Sequence, residues 1–186
     1  MSRFSLRAAP LPGLMVVERK PQADPRGSFC RLYCAEELAI LGAGKPIVQI
    51  NHACTLGVGA VRGLHFQRPP HLEAKLVSCL KGRIWDVAVD LRRSSPTFLR
   101  WHAEELSADN RLSLLIPEGF AHGYQTLEPG SELLYLHTAA YHPESEGGLR
   151  VTDPRLDIAW PLPVQGLSER DAAHPLLTAD FQGACL

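Results

Sequence analysis

Lys75-Leu76-Val77-Ser78-Cys79-Leu80-Lys81-Gly82-Arg83-Ile84-Trp85-Asp86-Val87-Ala88-Val89-Asp90-Leu91 is the run from which the fold is read. Successive side chains of a strand point to opposite faces, so Trp85, Val87 and Val89 share one face and Ile84, Asp86, Ala88 and Asp90 the other. Lys81-Gly82, with a glycine free to take a positive φ, reads as a hairpin turn joining strands at 75–80 and 83–91. Outward from this run, similar β-branched or aromatic segments at 46–54, 59–67, 101–106, 112–116 and 132–141 are bounded by Gly, Pro, Asn, Asp and Ser. That density of short strands predicts an all-β sandwich or barrel. A short helix is expected at 35–41, stopped by Gly42, and a helical turn near 167–173. Pro154, Pro161, Pro163 and Pro175 mark a C-terminal tail wrapped over the core. One domain is expected over 1–186, with a barrel core at about 45–145 and two arms packed on it.

Composition narrows the function classes. The 186 residues carry 19 Lys and Arg against 20 Asp and Glu, a formal charge of −1. No field of one sign recruits nucleic acid or an acidic membrane, so an anionic ligand needs a local pocket. Cys30, Cys34, Cys54, Cys79 and Cys185 are odd in number and form no Cys-x-x-Cys pair, which disfavours a disulfide framework and a zinc ribbon. Buried or idle thiols in a reducing cytoplasm are expected. Arg3, Arg7, Pro10 and Pro12 interrupt the N-terminal apolar residues, and no window approaches the roughly eighteen apolar residues of a membrane span.

Two further stretches carry chemistry: Arg62-Gly63-Leu64-His65-Phe66-Gln67, with Lys75 beyond it, and Ile116-Pro117-Glu118-Gly119-Phe120-Ala121-His122-Gly123. Together they resemble a cupin jelly-roll barrel whose metal site has given way to acid/base chemistry. Metal-binding cupins pair a His-x-His segment and a glutamate with a later Pro-x-Gly-x-x-His; here the first half reads His65-Phe66-Gln67. An amide is a poor ligand for a divalent ion, and a lysine beside it adds like-charge repulsion. No metal and no other cofactor is expected, and the histidine is left free to carry protons.

The resemblance becomes specific through motifs that occur in order: Asp24-Pro25-Arg26-Gly27-Ser28-Phe29, the two stretches above, Asp86 to Arg92 with Ser95-Pro96-Thr97-Phe98, Tyr141-His142-Pro143, Asp153-Pro154, Trp160-Pro161 and Leu167 to Asp171. The chain resembles the dTDP-4-dehydrorhamnose 3,5-epimerase family from roughly Arg19 to Leu177. That resemblance implies a metal-free homodimer with an exchanged N-terminal arm, acting on a nucleotide-linked 4-keto sugar. A ketone at C4 of a hexose acidifies the hydrogens on C3 and C5, and inversion removes a proton from one face and returns one to the other. Two groups must flank the ring, and His65, titrating near neutrality, suits the base. By resemblance Asp171 is its carboxylate, Tyr135 the proton donor on the opposite face, and Lys75, helped by Arg62, the cation where enolate charge develops.

A lone barrel histidine is more often structural, and one strand tyrosine is more often core; their combination points to catalysis. Tyr141 lies six residues after Tyr135, so on a regular strand both rings share a face. His122 is a candidate for orienting phosphate or ketone, and Arg26, Gln49, Asn51 and Glu146 align with positions that hold nucleotide or sugar, Arg26 reaching a partner subunit's site. Arg31 stands where the family has an acceptor, which leaves the nucleotide open, and Glu73 stands where it has glutamine. Other readings stay open: a mono-epimerase or ketoisomerase on another 4-keto sugar, a non-catalytic sugar-binding cupin, and a metal-dependent cupin using His65, Gln67, Glu73 and His122.

Overall fold

The computed structural model describes residues 2–184, so Cys185 lies outside them. Thirteen strands run β1 Phe4–Ala8, β2 Met15–Arg19, β3 Gln22–Asp24, β4 Gly27–Phe29, β5 Gln49–Thr55, β6 Val61–Gln67, β7 Lys75–Lys81, β8 Arg83–Asp90, β9 Trp101–Ser107, β10 Leu112–Ile116, β11 Phe120–Thr126, β12 Ser131–His137 and β13 Glu146–Gly148, followed by helix α1 at Glu169–Ala173. Six strands form one sheet in the order β1-β2-β10-β7-β12-β5, five form a second in the order β13-β6-β11-β8-β9, and β3-β4 is a separate hairpin. This is the cupin jelly roll. No helix among the described residues is long and apolar enough to cross a membrane.

The alternation read in 83–91 sorts two cores. Ile84 and Ala88 face a cluster between the sheets with Val77, Leu114, Phe120 and Leu133. Val87 and Val89 face the other way, onto Leu149, Val151 and Leu156 of the C-terminal tail. A third cluster, with Leu38 and Leu41 on Val17, Leu76 and Leu136, covers the outer face of the six-stranded sheet. Both sheets are thus buried on both faces over much of their area.

Three local expectations give way to tertiary pairing. Lys81-Gly82 is a turn, with Gly82 at φ +72, but it joins no hairpin. β7 pairs with β10 and β12, whereas β8 pairs with β11 and β9, so the turn carries the chain from one sheet to the other. Residues 35–40 are turns leading into a 3-10 helix at Leu41–Gly44; the segment makes one i→i−4 bond, from Leu38 N to Cys34 O, and then tightens at Leu41. So short a stretch cannot offset helix nucleation, and anchoring two leucines on a flat sheet suffices to hold it. β12 ends at His137, so Tyr141 is off the strand and its ring is not aligned with that of Tyr135 by strand geometry. β1, β2, β3, β4, β11 and β13 are strands that the alternation does not reveal; β1 and β2 build outward from β10, leaving the exposed β3-β4 hairpin outside both sheets. Of the described cysteines only Cys79 is buried, and Cys54 is exposed.

Candidate active site

A cavity of about 250 Å³ lies between the sheets, lined by Asn51, Ala53, Arg62, His65, Lys75, His122, Tyr124, Tyr135 and His137. β5, β7 and β12 supply one wall and β6 and β11 the other. Arg62 and His65 both reach it although they are three residues apart, which on an even strand sets them on opposite faces. The register resolves this: His122 pairs with His65 but Tyr124 with Arg62, so β6 carries one extra residue there. Gly63, at φ +135, absorbs it, and a side chain on Gly63 would meet Gly123 Cα at 2.6 Å. The two glycines of the motifs therefore let the β6 and β11 backbones approach where the bulge turns His65 inward.

Three imidazole–carboxylate pairs surround the cavity. His65 Nε2 is 2.7 Å from Asp171 Oδ1, and Asp171 Oδ2 accepts from Gly63 N at 3.3 Å. With its proton on Nε2 toward Asp171, the ring keeps a lone pair on Nδ1. Burial lowers the His65 pKa from 6.5; Asp171 opposes that, and Arg170 and Lys75 add to it. Burial alone would raise Asp171, but the bond and charge of His65, the Gly63 N–H and Arg170 together outweigh this and hold the carboxyl below its usual range. Asp171 sits in the first turn of α1, capped by Ser168, whose Oγ accepts from Asp171 N at 3.0 Å. His122 Nε2 is 2.8 Å from Asp86 Oδ1, and the fully buried Asp86 is pushed upward by burial against the pull of His122 and Lys75. His137 Nδ1 is 2.8 Å from Glu73 Oε2, and Lys75 Nζ is 3.0 Å from Glu73 Oε1.

Tyr135 stands edge-on to His122, with ring centres 5.9 Å apart. Desolvation, with Tyr124 and Asp86 nearby, raises its hydroxyl well above the ordinary tyrosine value, so it holds its proton at neutral pH. At the rim, Glu146 accepts from Tyr141 Oη at 2.8 Å and from Arg170 Nη1 at 2.8 Å. Gln49 Oε1 accepts from Tyr141 N at 2.9 Å.

The family of dTDP-4-dehydrorhamnose 3,5-epimerases matches residues 8–179. The chain belongs to that family. It is an isomerase of the sugar-epimerase class. It is 43% identical over 169 residues to the dTDP-4-dehydrorhamnose 3,5-epimerase of Salmonella typhimurium, covering 90% of this chain and 92% of the other. The structure of a Legionella pneumophila dTDP-6-deoxy-D-glucose-3,5-epimerase, in complex with dTDP-4-keto-L-rhamnose, superposes with a TM-score of 0.90 at 38% identity, over 98% of this chain and 99% of that one. A 3′-monoepimerase from Streptomyces bikiniensis, in complex with dTDP-quinovose, gives 0.84 at 31% identity, over 91% and 86%.

Most of the residues singled out in this family member's sequence come together. His65, Tyr135, Lys75, Arg62, Asn51 and His122 line the cavity, Asp171 stands behind His65, and Gln49, Tyr141 and Glu146 form the rim. Arg26 does not join them: it is on the β3-β4 hairpin, bound to Asp24 at 2.6 Å, against a separate hollow of about 530 Å³ that holds none of the cavity's titratable groups. Arg31 is paired with Glu37. His65, Gln67, Glu73 and His122 do not gather as a ligand set among the described residues. Gln67 Nε2 donates to the carbonyls of His71 and Ala140, and its Oε1 accepts from His142 N at 2.7 Å, so its amide is a loop anchor. Sequence reasoning missed His137, Arg170 and the Asp86–His122 pair. His137 was within reach, because it sits two residues from Tyr135 on one strand; Arg170 adjoins Asp171 but carried no signal of its own.

Proposed function

We propose that the chain inverts C3, C5 or both of a nucleotide-diphospho-4-keto-6-deoxyhexose by proton abstraction and return, without a metal. The observation that carries this reading is that a histidine held by a carboxylate and a protonated tyrosine line one cavity from two different sheets, with an ammonium group beside them. His65 takes the proton from the carbon next to the ketone; the C–H electron pair becomes the new C=C bond and the carbonyl π pair moves onto the C4 oxygen. Lys75, with Arg62, offsets the charge on that enolate oxygen. Tyr135 delivers its phenolic proton to the opposite face as the carbonyl re-forms, and solvent then resets imidazolium and phenolate. Asp171 fixes the His65 tautomer. Gln49, Asn51, Tyr141, Glu146 and His122 hold the substrate; the diphosphate of a nucleotide sugar suits the forked guanidinium of Arg26, supplied across a homodimer in the cytoplasm. The open edge of β5, with Ile50 61% exposed, and the 72% exposed Phe29 on the β3-β4 hairpin support such an assembly.

Proton NMR of dTDP-4-keto-6-deoxyglucose in deuterium oxide tests the reading. Loss of signal at both C3 and C5 is expected of a double epimerase and loss at one of a mono-epimerase. His65→Ala is expected to abolish exchange in a folded protein, and Tyr135→Phe to exchange but invert poorly. Full exchange by His65→Ala, or no exchange by the wild type with dTDP-, CDP- and GDP-linked 4-keto sugars alike, would overturn it.

A further inference from the structure

His137 and Glu73 have no part in the steps above, yet His137 is buried in the cavity wall and Glu73 is largely withdrawn from solvent behind it. The alternation of β12 puts His137 on the same side as Tyr135, their rings 6.0 Å apart and inclined by only 17°. Both imidazole nitrogens are engaged. Nδ1 is 2.8 Å from Glu73 Oε2, and Nε2 is 3.3 Å from Asn51 Nδ2. An ionised carboxylate only accepts and an amide nitrogen only donates, so the two partners together select the neutral ring with its proton on Nδ1. The other Glu73 oxygen is 3.0 Å from Lys75 Nζ. At the far end Asn51 Oδ1 accepts from Gln49 Nε2 at 3.3 Å, and Gln49 Oε1 accepts from Tyr141 N. Each link has one donor and one acceptor, and the chain runs from the rim to the ammonium inside.

We propose that Glu73 and His137 are a positioning pair, fixing Lys75 Nζ and Asn51 Nδ2 at the two ends of one hydrogen-bonded unit and so setting where the sugar's ketone oxygen is held. The proposal rests on the epimerase reading and places neither residue on a reacting carbon. A lysine ammonium is a mobile charge on four methylenes; a carboxylate that spends one oxygen on it and the other on a fixed ring can no longer rotate away. Burial alone would raise the Glu73 carboxyl, but Lys75 and His137 hold it down at about 2, so the anchor is charged at any working pH. A displacement of about 1 Å in such a group costs on the order of a hundredfold in rate.

The test compares Glu73→Gln, His137→Leu, His137→Gln and the double variant Glu73→Gln/His137→Leu in the deuterium-exchange assay, with folding checked by circular dichroism. Expected are losses in kcat of about tenfold or more in Glu73→Gln and His137→Leu, with the smaller part of the effect in KM. The double variant should be no slower than the worse single, because the two residues act as one unit. His137→Gln, which keeps an N–H for Glu73 and a carbonyl for Asn51, should recover most of the rate; a purely acid/base histidine would not be rescued by an amide. Wild-type kcat in folded His137→Leu, losses that multiply in the double variant, or no recovery in His137→Gln would each overturn the pairing. Nitrogen-15 NMR of the ring needs no substrate: a neutral His137 protonated on Nδ1 is expected, and a proton on Nε2 overturns the chain of bonds. Absence of exchange by the wild type would sink the epimerase reading instead, a result distinct from normal wild-type exchange beside unaffected variants.

Discussion

An imidazole must be neutral before it can act as the proposed base, and the neighbours of His65 pull its pKa in opposite directions. Burial, Arg170 and Lys75 disfavour the imidazolium while Asp171 favours it, and the balance lies below 6.5. The acid limb of kcat/KM is therefore expected below pH 6.5, with His65 already deprotonated at neutrality. In Asp171→Asn the one raising influence is lost, so that limb should move to still lower pH while kcat falls by about a hundredfold or more, the amide no longer securing the tautomer. A pH–rate profile of the two proteins checks this, and a limb that moves upward would contradict it. Tyr135 needs the reverse condition, a proton retained to high pH, and desolvation between the sheets supplies it. In the proposed mechanism, base and acid are separated by their surroundings rather than by residue type alone.

At the scale of elements, the site depends on one irregularity. β6 reads as an ordinary strand, and even alternation would send Arg62 and His65 apart; the bulge opposite β11 brings both inward. Its cost is a backbone contact that leaves no room for a Cβ on Gly123, which would lie 2.8 Å from Arg62 O and 2.9 Å from Leu64 Cδ2. Gly123→Ala is expected to destabilise the fold by about 2 kcal/mol or more, and to reduce exchange even where folding survives, because the strands must part and His65 turns with β6. Thermal unfolding with the exchange assay would show this; unchanged Tm and rate would mean that the bulge has slack. The strand pattern from 46 to 116 was legible because alternation is local. The bulge was not, since it exists only in the register of two strands some sixty residues apart.

Across the whole molecule, buried carboxylates make stability depend on acid. Glu73, between Lys75 of β7 and His137 of β12, is held at about 2 against an ordinary 4.5. A depressed carboxyl contributes stability that is complete above its unfolded value and lost as pH falls toward its folded one, here through the window from about 4.5 to 2. Asp90 is lowered as well, its burial outweighed by bonds from Arg92, Ser95 and Thr97. Asp86 runs the other way, because burial raises it and protonation relieves it. Denaturant unfolding followed across that window is expected to show stability falling steeply with acid in the wild type and less steeply in Glu73→Gln. Equal slopes would mean that the Glu73 pair contributes nothing to acid sensitivity.

The amino-acid sequence by itself determined the strands between 46 and 116, because side-chain alternation is a property of neighbours along the chain, and it supplied the titratable residue types of the candidate site, His65, Lys75, Tyr135 and Asp171. Tertiary structure alone decided which sheet each strand joined. The run 75–91 reads as a hairpin, but β7 is flanked by the distant strands β10 and β12, and β8 by β11 and the strand that follows it, β9. It also decided the bulge at Gly63, the burial that separates the behaviour of His65 and Tyr135, and the hydrogen-bonded line from Tyr141 to Lys75. These depend on which backbone and side-chain groups meet across the barrel once water is excluded, and nothing in the local pattern of residues specifies that.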